Sequence, residues 1–249
     1  MAGLILAQTS FTEYDSPRNA PLAPVVETIL VKSEHDTAEG AENALLQRYI
    51  LQPSNSPYST NEEQAATAKE DGAIVVVKRL SKQNANRTQA VRREIDLLWD
   101  LPHPIIPNIY EWLETPDTLY LIQDNRPRRS LKQLVEMSGP VPQDGAKDVM
   151  TQLFSGIAHL FLHHIAPMRI TPLEMLFDSS SNLVLGNFEN AVKYSEQKEV
   201  GMPYALVTGQ FGDDIYTAPE VFNEYAYNAR KAVVWSCGVV LVCYSLSNE

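Results

Sequence analysis

The sequence AIVVVKRL, Ala73–Leu80, and the stretch that follows it have different hydrophobic periods, and this contrast indicates the fold. A short run of mostly β-branched residues is typical of a buried β-strand. After a polar turn comes RTQAVRREIDLLWDL, Arg87–Leu101. There Val91, Ile95 and Leu98 recur at the spacing of one helix face. We therefore predict a buried strand followed by an amphipathic helix, which the two prolines Pro102 and Pro104 end.

The rest of the chain continues this alternation and then changes character. IYEWLE and TLYLIQD predict two strands, because the turn-forming residues Thr115–Asp117 separate them. A long helix is predicted from Ala146 to His164, and the segments MLFD and NLVLGNF predict a short hairpin around Ser179–Ser181. Strands and one helix come first and helices come later. This order predicts an α+β fold with two lobes.

The N-terminal part of the chain carries weaker signals. Residues 1–41 mix proline, acidic and small residues, so we predict a loosely structured leader. The heptapeptide LLQRYIL, Leu45–Leu51, predicts a strand. The polar, turn-rich residues that separate it from Ala73 predict a hairpin with a long connection.

Composition excludes some classes of protein. The net charge of −11 argues against binding to nucleic acid or to an anionic membrane, since both require clustered positive charge. Nowhere do about 18 apolar residues follow one another, as a membrane-spanning helix requires. Cys237 and Cys243 lie six positions apart, so on one helix their side chains would point away from each other and could not form a disulfide. A reducing, intracellular compartment is therefore expected.

Several of these segments, in this order, resemble the eukaryotic protein kinase family. VVVK, which ends at Lys78, resembles the motif of the third kinase strand, and Glu94 in RREIDLL resembles the helix glutamate that pairs with that lysine. LYLIQDN is similar to the fifth strand and the hinge, with Gln123 as gatekeeper. TAPE and KAVVWSCGVVL are similar to two motifs of the large lobe. The resemblance covers residues 45–249.

This resemblance implies a bilobal protein kinase-like fold. The β-rich N-lobe would comprise residues 42–125, and residues 126–249 would form a partial, helical C-lobe that ends at the central helix of the large lobe. ATP is the candidate cofactor that the family implies, although no cofactor is certain. The residues that would bind it are Lys78, Glu94, Asp124 and Asn125.

The reactive positions of the family are occupied by other residues here. Along the catalytic loop, Arg169 stands where the catalytic aspartate belongs. At the two positions that hold magnesium, the sequence has Glu174 in place of asparagine and Asn187 in place of aspartate. The glycine-rich loop is also missing, because no glycine occurs between residues 41 and 71.

These changes remove the catalytic base and the metal carboxylate together, so we predict no catalytic residue and no metal site. The expected function is that of a pseudokinase, an interaction or allosteric module in signalling. The alternative is an unorthodox ATP-binding serine/threonine kinase that uses Lys78 and Glu174 to hold nucleotide and metal. A third reading is a degenerate fragment with no function of its own.

Three further segments carry smaller expectations. Val233–Leu246 is apolar at nearly every position, which predicts a helix buried on all sides, and a protein partner is expected to cover it. The alternatives are that the chain is a piece of a longer product or that the large lobe is incompletely folded. RPRRSLK, Arg126–Lys132, is interpreted as a solvated connector in preference to a phosphate-docking segment. His163 and His164 are assigned to a helix end, without a metal site.

Overall fold

The computed structural model describes residues 38–52, 63–124, 129–178, 180–199, 202–209, 215–223 and 226–245. Its helices are α1 (Ala38–Arg48), α2 (Ala85–Leu98), α3 (Leu131–Ser138), α4 (Gln143–Leu162), α5 (Pro219–Asn223) and α6 (Ala229–Ser245). Its strands are β1 (Tyr49–Leu51), β2 (Glu63–Ala68), β3 (Ile74–Ser81), β4 (Ile109–Glu114), β5 (Thr118–Asp124), β6 (Arg129–Ser130), β7 (Ile165–Ala166), β8 (Met175–Phe177), β9 (Leu183–Leu185), β10 (Val192–Lys193), β11 (Glu196–Glu199), β12 (Met202–Thr208) and β13 (Ala226–Asn228).

An antiparallel sheet in the order β1-β2-β3-β5-β4 forms the N-lobe. Successive side chains of a strand point to opposite faces, and both faces of this sheet are buried. On β5, Leu119 and Leu121 pack with the core that contains α2, whereas Tyr120 and Ile122 pack with Leu45 of α1. The sheet is therefore covered by α2 on one face and by α1 on the other.

The C-lobe is built on α4, whose residues Leu153, Ile157 and Leu160 are buried. Around it lie α3, α6 and small antiparallel sheets in the orders β6-β8-β9, β10-β7 and β11-β12-β13. The predicted α+β architecture with a β-rich lobe and a helical lobe is confirmed. Within the described residues, no helix is long and apolar enough to cross a membrane.

Three predictions for the N-terminal part were wrong. The predicted hairpin between the first strand and Ala73–Leu80 does not form, because β2 lies between β1 and β3 and pairs with both. Leu45–Arg48 is the last turn of α1 and not a strand, and the strand begins only at Tyr49. Alanine, leucine, glutamine and arginine are strong helix formers, and the segment contains no β-branched residue before the strand. The helix starts at Ala38, inside the predicted leader. Residues 1–37 of that leader lie outside the described residues.

The predicted connector RPRRSLK also contains regular structure. Ser130 ends β6 and caps α3 in a reciprocal capping box, because its side chain accepts a hydrogen bond from the Gln133 amide while the Gln133 side chain accepts one from the Ser130 amide. Its residues 126–128 lie outside the described residues. The interpretation as a connector was based on the basic residues, whereas the start of α3 is marked by the Ser-x-x-Gln signature.

The sequence predicted that α6 would be buried on all sides, but only one face of this helix is buried. Its inner face packs into the core through Val233, Cys237 and Val240, each at most 1% exposed. The opposite face is exposed, with Val234 at 54% and Val242 at 55%. Neither cysteine forms a disulfide, and Cys243 is exposed while Cys237 is buried. Leu246, the end of the predicted apolar segment, lies outside the described residues.

The two lobes meet where Ile105, in the loop after α2, enters a notch at Gly156 of α4. A Cβ atom at position 156 would overlap with the Cγ1 and Cδ1 atoms of Ile105. The Ile105 carbonyl also accepts a hydrogen bond of 2.8 Å from the Leu185 amide of β9. The absent side chain at Gly156 is therefore what lets the loop approach α4.

Replacing this glycine with alanine should loosen the lobe junction. We expect Gly156→Ala to lower the free energy of unfolding by about 2 kcal/mol, because overpacking outweighs the helix-propensity gain. Gly238→Ala is the matched control, since it also lies in a helix but no atom lies within 4 Å of the added Cβ. This variant should be stabilised by about 1 kcal/mol. Denaturant unfolding of both variants tests the notch, and equal effects would contradict it.

Candidate functional site

Lys78 lies on β3 in the cleft between the sheet and α2, and its side chain is 14% exposed. Its Nζ atom is 3.5 Å from Oε1 of Glu63, which lies on β2. The two residues are direct cross-strand partners in the antiparallel register. Such pairs of opposite charge stabilise a sheet. The β2 strand therefore presents a carboxylate directly to the lysine.

The charges around Lys78 are dominated by acids. Burial lowers the pKa of the Lys78 ammonium. The carboxylates of Glu94, Glu63 and Glu189 oppose burial, and the net shift of this pKa is upward. Burial raises the pKa of Glu94, and the opposing effect of Lys78 does not cancel the rise. Three acids share one ammonium group, so Lys78 stays charged and Glu94 ionises less readily than a free glutamate.

The expected pair of Lys78 with Glu94 takes an indirect form. Glu94 is 2% exposed on α2, and its carboxylate accepts a hydrogen bond from the backbone of Phe188. Of the described acids, Glu63 and not Glu94 lies within 4.0 Å of the lysine amine, although Glu94 exerts the largest charge effect on it. Sequence reasoning missed Glu63. Its signal was the strand register, which a single segment does not reveal.

The three substituted reactive positions come together in the C-lobe. Nε of Arg169 lies 3.6 Å from Oε1 of Glu174, and Nδ2 of Asn187 donates a hydrogen bond of 3.2 Å to the same oxygen. Glu174 sits just before β8, and its backbone carbonyl accepts a hydrogen bond of 2.7 Å from the amide of Gly186. We call Arg169, Glu174 and Asn187 the substituted triad.

The local backbone holds the triad in place. Asn187 has φ of 51°, in the left-handed region that asparagine tolerates better than most residues. Its side-chain oxygen accepts a hydrogen bond of 3.1 Å from the amide of Glu189. Burial raises the pKa of Glu174, and the Arg169 guanidinium and the Asn187 amide oppose this rise without cancelling it. Glu174 is thus a partly buried carboxylate with a cation and a donor already in contact.

This donor set does not fit magnesium. The ion needs several oxygen ligands that are free to turn toward it. Here one Glu174 oxygen faces a guanidinium and an amide donor, and the Asn187 oxygen faces a backbone amide. Over the described part of the chain, no three His, Cys, Asp or Glu side chains are grouped to hold a metal ion.

Two further residues singled out by the sequence, Gln123 and Asp124, lie at the end of β5. Gln123 is half-buried on β5, and Asp124 is 7% exposed, with its amide donating to the carbonyl of Asn108 at 3.0 Å. Asn125 lies outside the described residues. Nucleotide binding by Lys78, Glu94, Asp124 and Asn125 therefore stays a prediction.

The sequence matches the profile of one family over residues 62–249, and that family is described as protein kinase domain. The match includes β2 to β5, the substituted triad and α6. It therefore covers both lobes and about three quarters of the chain.

Curated relatives agree with this match. The chain is 27% identical to serine/threonine protein kinase OSK3 of Oryza sativa subsp. indica over 68% of its length. It is 28% identical to probable serine/threonine-protein kinase KCC4 of Saccharomyces cerevisiae over 74% of its length. It is also 28% identical to serine/threonine-protein kinase SIK1 of Mus musculus over 70% of its length. The matches cover 32%, 18% and 22% of these relatives, so the chain spans a third of their length or less.

Lys78→Met should show how far the cleft depends on this cation. We expect a loss of about 3 kcal/mol in the free energy of unfolding, because buried carboxylates lose their compensating charge. The pKa of Glu94 would rise further without Lys78. A raised pKa gives stability at low pH that is lost as the pH rises through it, so the deficit should grow from about pH 5 to about pH 8.

Denaturant unfolding at both pH values measures this deficit. Lys132→Met is the matched control, because Lys132 forms an exposed pair of 3.9 Å with Glu136 on the surface of α3. Its effect should stay within about 0.5 kcal/mol at either pH. A deficit for Lys78→Met that is no larger than the control, or that shrinks with rising pH, would contradict the charge arrangement.

Proposed function

The chain belongs to the protein kinase family, and from that premise we propose that it is a catalytically impaired member that acts as an interaction or allosteric module in intracellular signalling. The observation that carries the proposal is the contact of Arg169 with Glu174. Phosphoryl transfer in this family needs a carboxylate at the acceptor hydroxyl and metal ions on the phosphates. Here the first position carries a guanidinium, which neutralises the nearest carboxylate.

The N-lobe supports the same proposal. The family lysine binds phosphate oxygens, and a free ammonium group is needed for this contact. Glu63 places a carboxylate 3.5 Å from Nζ of Lys78, and Glu189 adds a further negative charge. A triphosphate would have to displace Glu63 and approach the carboxylates of Glu94 and Glu189. We therefore expect nucleotide to bind weakly.

One observation favours the alternative, an unorthodox ATP-binding serine/threonine kinase. Lys78 is only 14% exposed and stays charged, as a phosphate-binding lysine must. Relatives in plants, yeast and mouse are named serine/threonine kinases. In this alternative, Glu174 would have to leave Arg169 before it could hold a metal ion. The need for that rearrangement makes it the second candidate.

Thermal unfolding with ATP, in magnesium or in EDTA, separates the two candidates. A ligand that binds the folded state raises the unfolding midpoint. We expect no magnesium-dependent rise for the wild-type chain. The variant Arg169→Asp/Glu174→Asn/Asn187→Asp restores the family residues and should gain such a rise. At an ATP concentration about 100 times its Kd, the free energy of unfolding should increase by about 2.7 kcal/mol.

The single substitution Arg169→Ala is the control, because it removes the cation without adding a metal ligand. It should show no magnesium-dependent rise. Incorporation of labelled phosphate into protein by the wild-type chain, and its loss in Lys78→Arg, would overturn the proposal in favour of the kinase alternative. Lys78→Arg is chosen because it keeps the charge that the buried acids require.

For the partner, we propose a protein that covers the outer face of α6, within Val233–Leu246. This face exposes the apolar side chains of Val234, Trp235 and Val242. Scattered apolar side chains are normal on a protein surface, but a group of neighbouring ones is typical of an interaction site. Gly238 lies among them and would accept a close approach, because no atom lies within 4 Å of its Cβ position.

Val234→Glu/Val242→Glu tests this face. Because both side chains are about half exposed, the free energy of unfolding should change by less than about 1 kcal/mol. Binding of a hydrophobic dye and retention of protein partners should both fall. The control is Leu162→Glu, at a 78% exposed position on α4. Partners retained equally by both variants would contradict the assignment.

A further inference from the structure

Three histidine rings stack at the junction of the two lobes. The ring centroids of His103 and His159 are 4.8 Å apart with an interplanar angle of 30°, and those of His159 and His163 are 4.8 Å apart with an angle of 49°. We call them the histidine stack. His159 and His163 lie in and just after the last turn of α4, and His103 lies in the loop of residues 99–108.

The stack lies beside the notch that joins the lobes. His103 precedes Ile105 by two residues, and its Nδ1 accepts a hydrogen bond of 3.3 Å from the Ile105 amide. Its Cε1 atom lies 3.4 Å from the position of a Cβ at Gly156. The conformation of His103 is therefore coupled directly to the seat of Ile105 on α4.

His103 and His159 are placed where a proton is unfavourable. Burial lowers the pKa of His103, and the neighbouring His159 lowers it further. Burial also lowers the pKa of His159, and His163 adds to this effect. The Nε2 atom of His159 is buried without a hydrogen-bond partner among the described residues. A second proton in the stack would place two cations about 5 Å apart with few groups to compensate them.

The charged groups on the packed elements do not offset this effect. Among the described residues, only histidines act on the pKa values of His103 and His159 as charges. Arg230 of α6 lies over the ring of Phe161, 5.0 Å from its centroid. The carbonyl end of α4 favours a positive charge, but burial prevails at His159. Within the described residues, no three His, Cys, Asp or Glu side chains are grouped to hold a metal ion, so metal binding does not explain why the histidines cluster.

We propose that the histidine stack is a pH-sensitive latch between the lobes, which holds the 99–108 loop on α4 while His103 and His159 are neutral and releases the loop when they are protonated. A histidine with a lowered pKa in the folded state stabilises it at neutral pH. That contribution is lost as the pH falls below the ordinary value near 6.5, because the open state takes up more protons. The latch does not depend on the proposed function.

Amide hydrogen exchange at Leu185 measures whether the loop is seated on α4, because this amide donates a hydrogen bond to the carbonyl of Ile105. After correction for intrinsic exchange, its protection in the wild-type chain should fall about tenfold from about pH 8 to about pH 5, because the open state takes up more protons. In His159→Phe the fall should be smaller, about threefold, because the charge effect of His159 is gone and only the burial of His103 still opposes its protonation. This variant keeps a ring, and the Nε2 atom that it removes has no partner among the described residues.

His164→Asn is the matched control. His164 lies outside the stack with φ of 58°, which asparagine tolerates, and this variant should keep the wild-type response. NMR titration should also show the pKa of His103 rising in His159→Phe, because the repulsion from His159 is gone. If phenylalanine disturbs the fold, His159→Gln should give the same reduced response. Protection of Leu185 that does not respond to pH in the wild type, or responds equally in His159→Phe, would overturn the latch.

Discussion

The buried ammonium group of Lys78 is the charge on which the cleft depends. It is the cation for carboxylates from three parts of the fold: Glu63 on β2, Glu94 on α2 and Glu189 beyond β9. Glu189 also lies 4.0 Å from the guanidinium of Arg87 at the start of α2. Buried carboxylates without a cation are expensive, so the sheet, the helix and the C-lobe loop are held in one arrangement by a shared charge.

The C-lobe solves the same problem with a different cation. In a catalytically active member of the family, metal ions supply positive charge that arrives with the nucleotide. Here Arg169 provides positive charge beside Glu174 permanently, because a guanidinium does not lose its proton in proteins. The triad can therefore fold without any ligand. Under the proposed function, catalysis is impaired because Arg169 and Asn187 already occupy the Glu174 carboxylate before any substrate binds.

Sequence patterns predicted the elements whose cause is local. The β-branched run of β3, the helix period of α2 and the turn at Thr115 were each sufficient, and all three elements are confirmed. The patterns missed α1, because a short helix of ordinary residues has no strong apolar face. They also missed the pairing of Glu63 with Lys78 and the stacking of His103 on His159. Those contacts join residues 15 and more positions apart, and only the register and the packing of the lobes bring them together.

These charges change what the family lysine can tell about activity. In the family, the lysine is associated with phosphate binding, and its presence favours an enzyme. In this fold, removing Lys78 would leave Glu94 buried with less compensation, so folding alone is enough reason for a lysine there. The same reasoning applies to Arg169, whose charge serves Glu174. The residues that bear on catalysis are therefore the acids. Glu63 already contacts Lys78, and Glu174 already contacts Arg169. A phosphate group would have to compete with these carboxylates for the two cations.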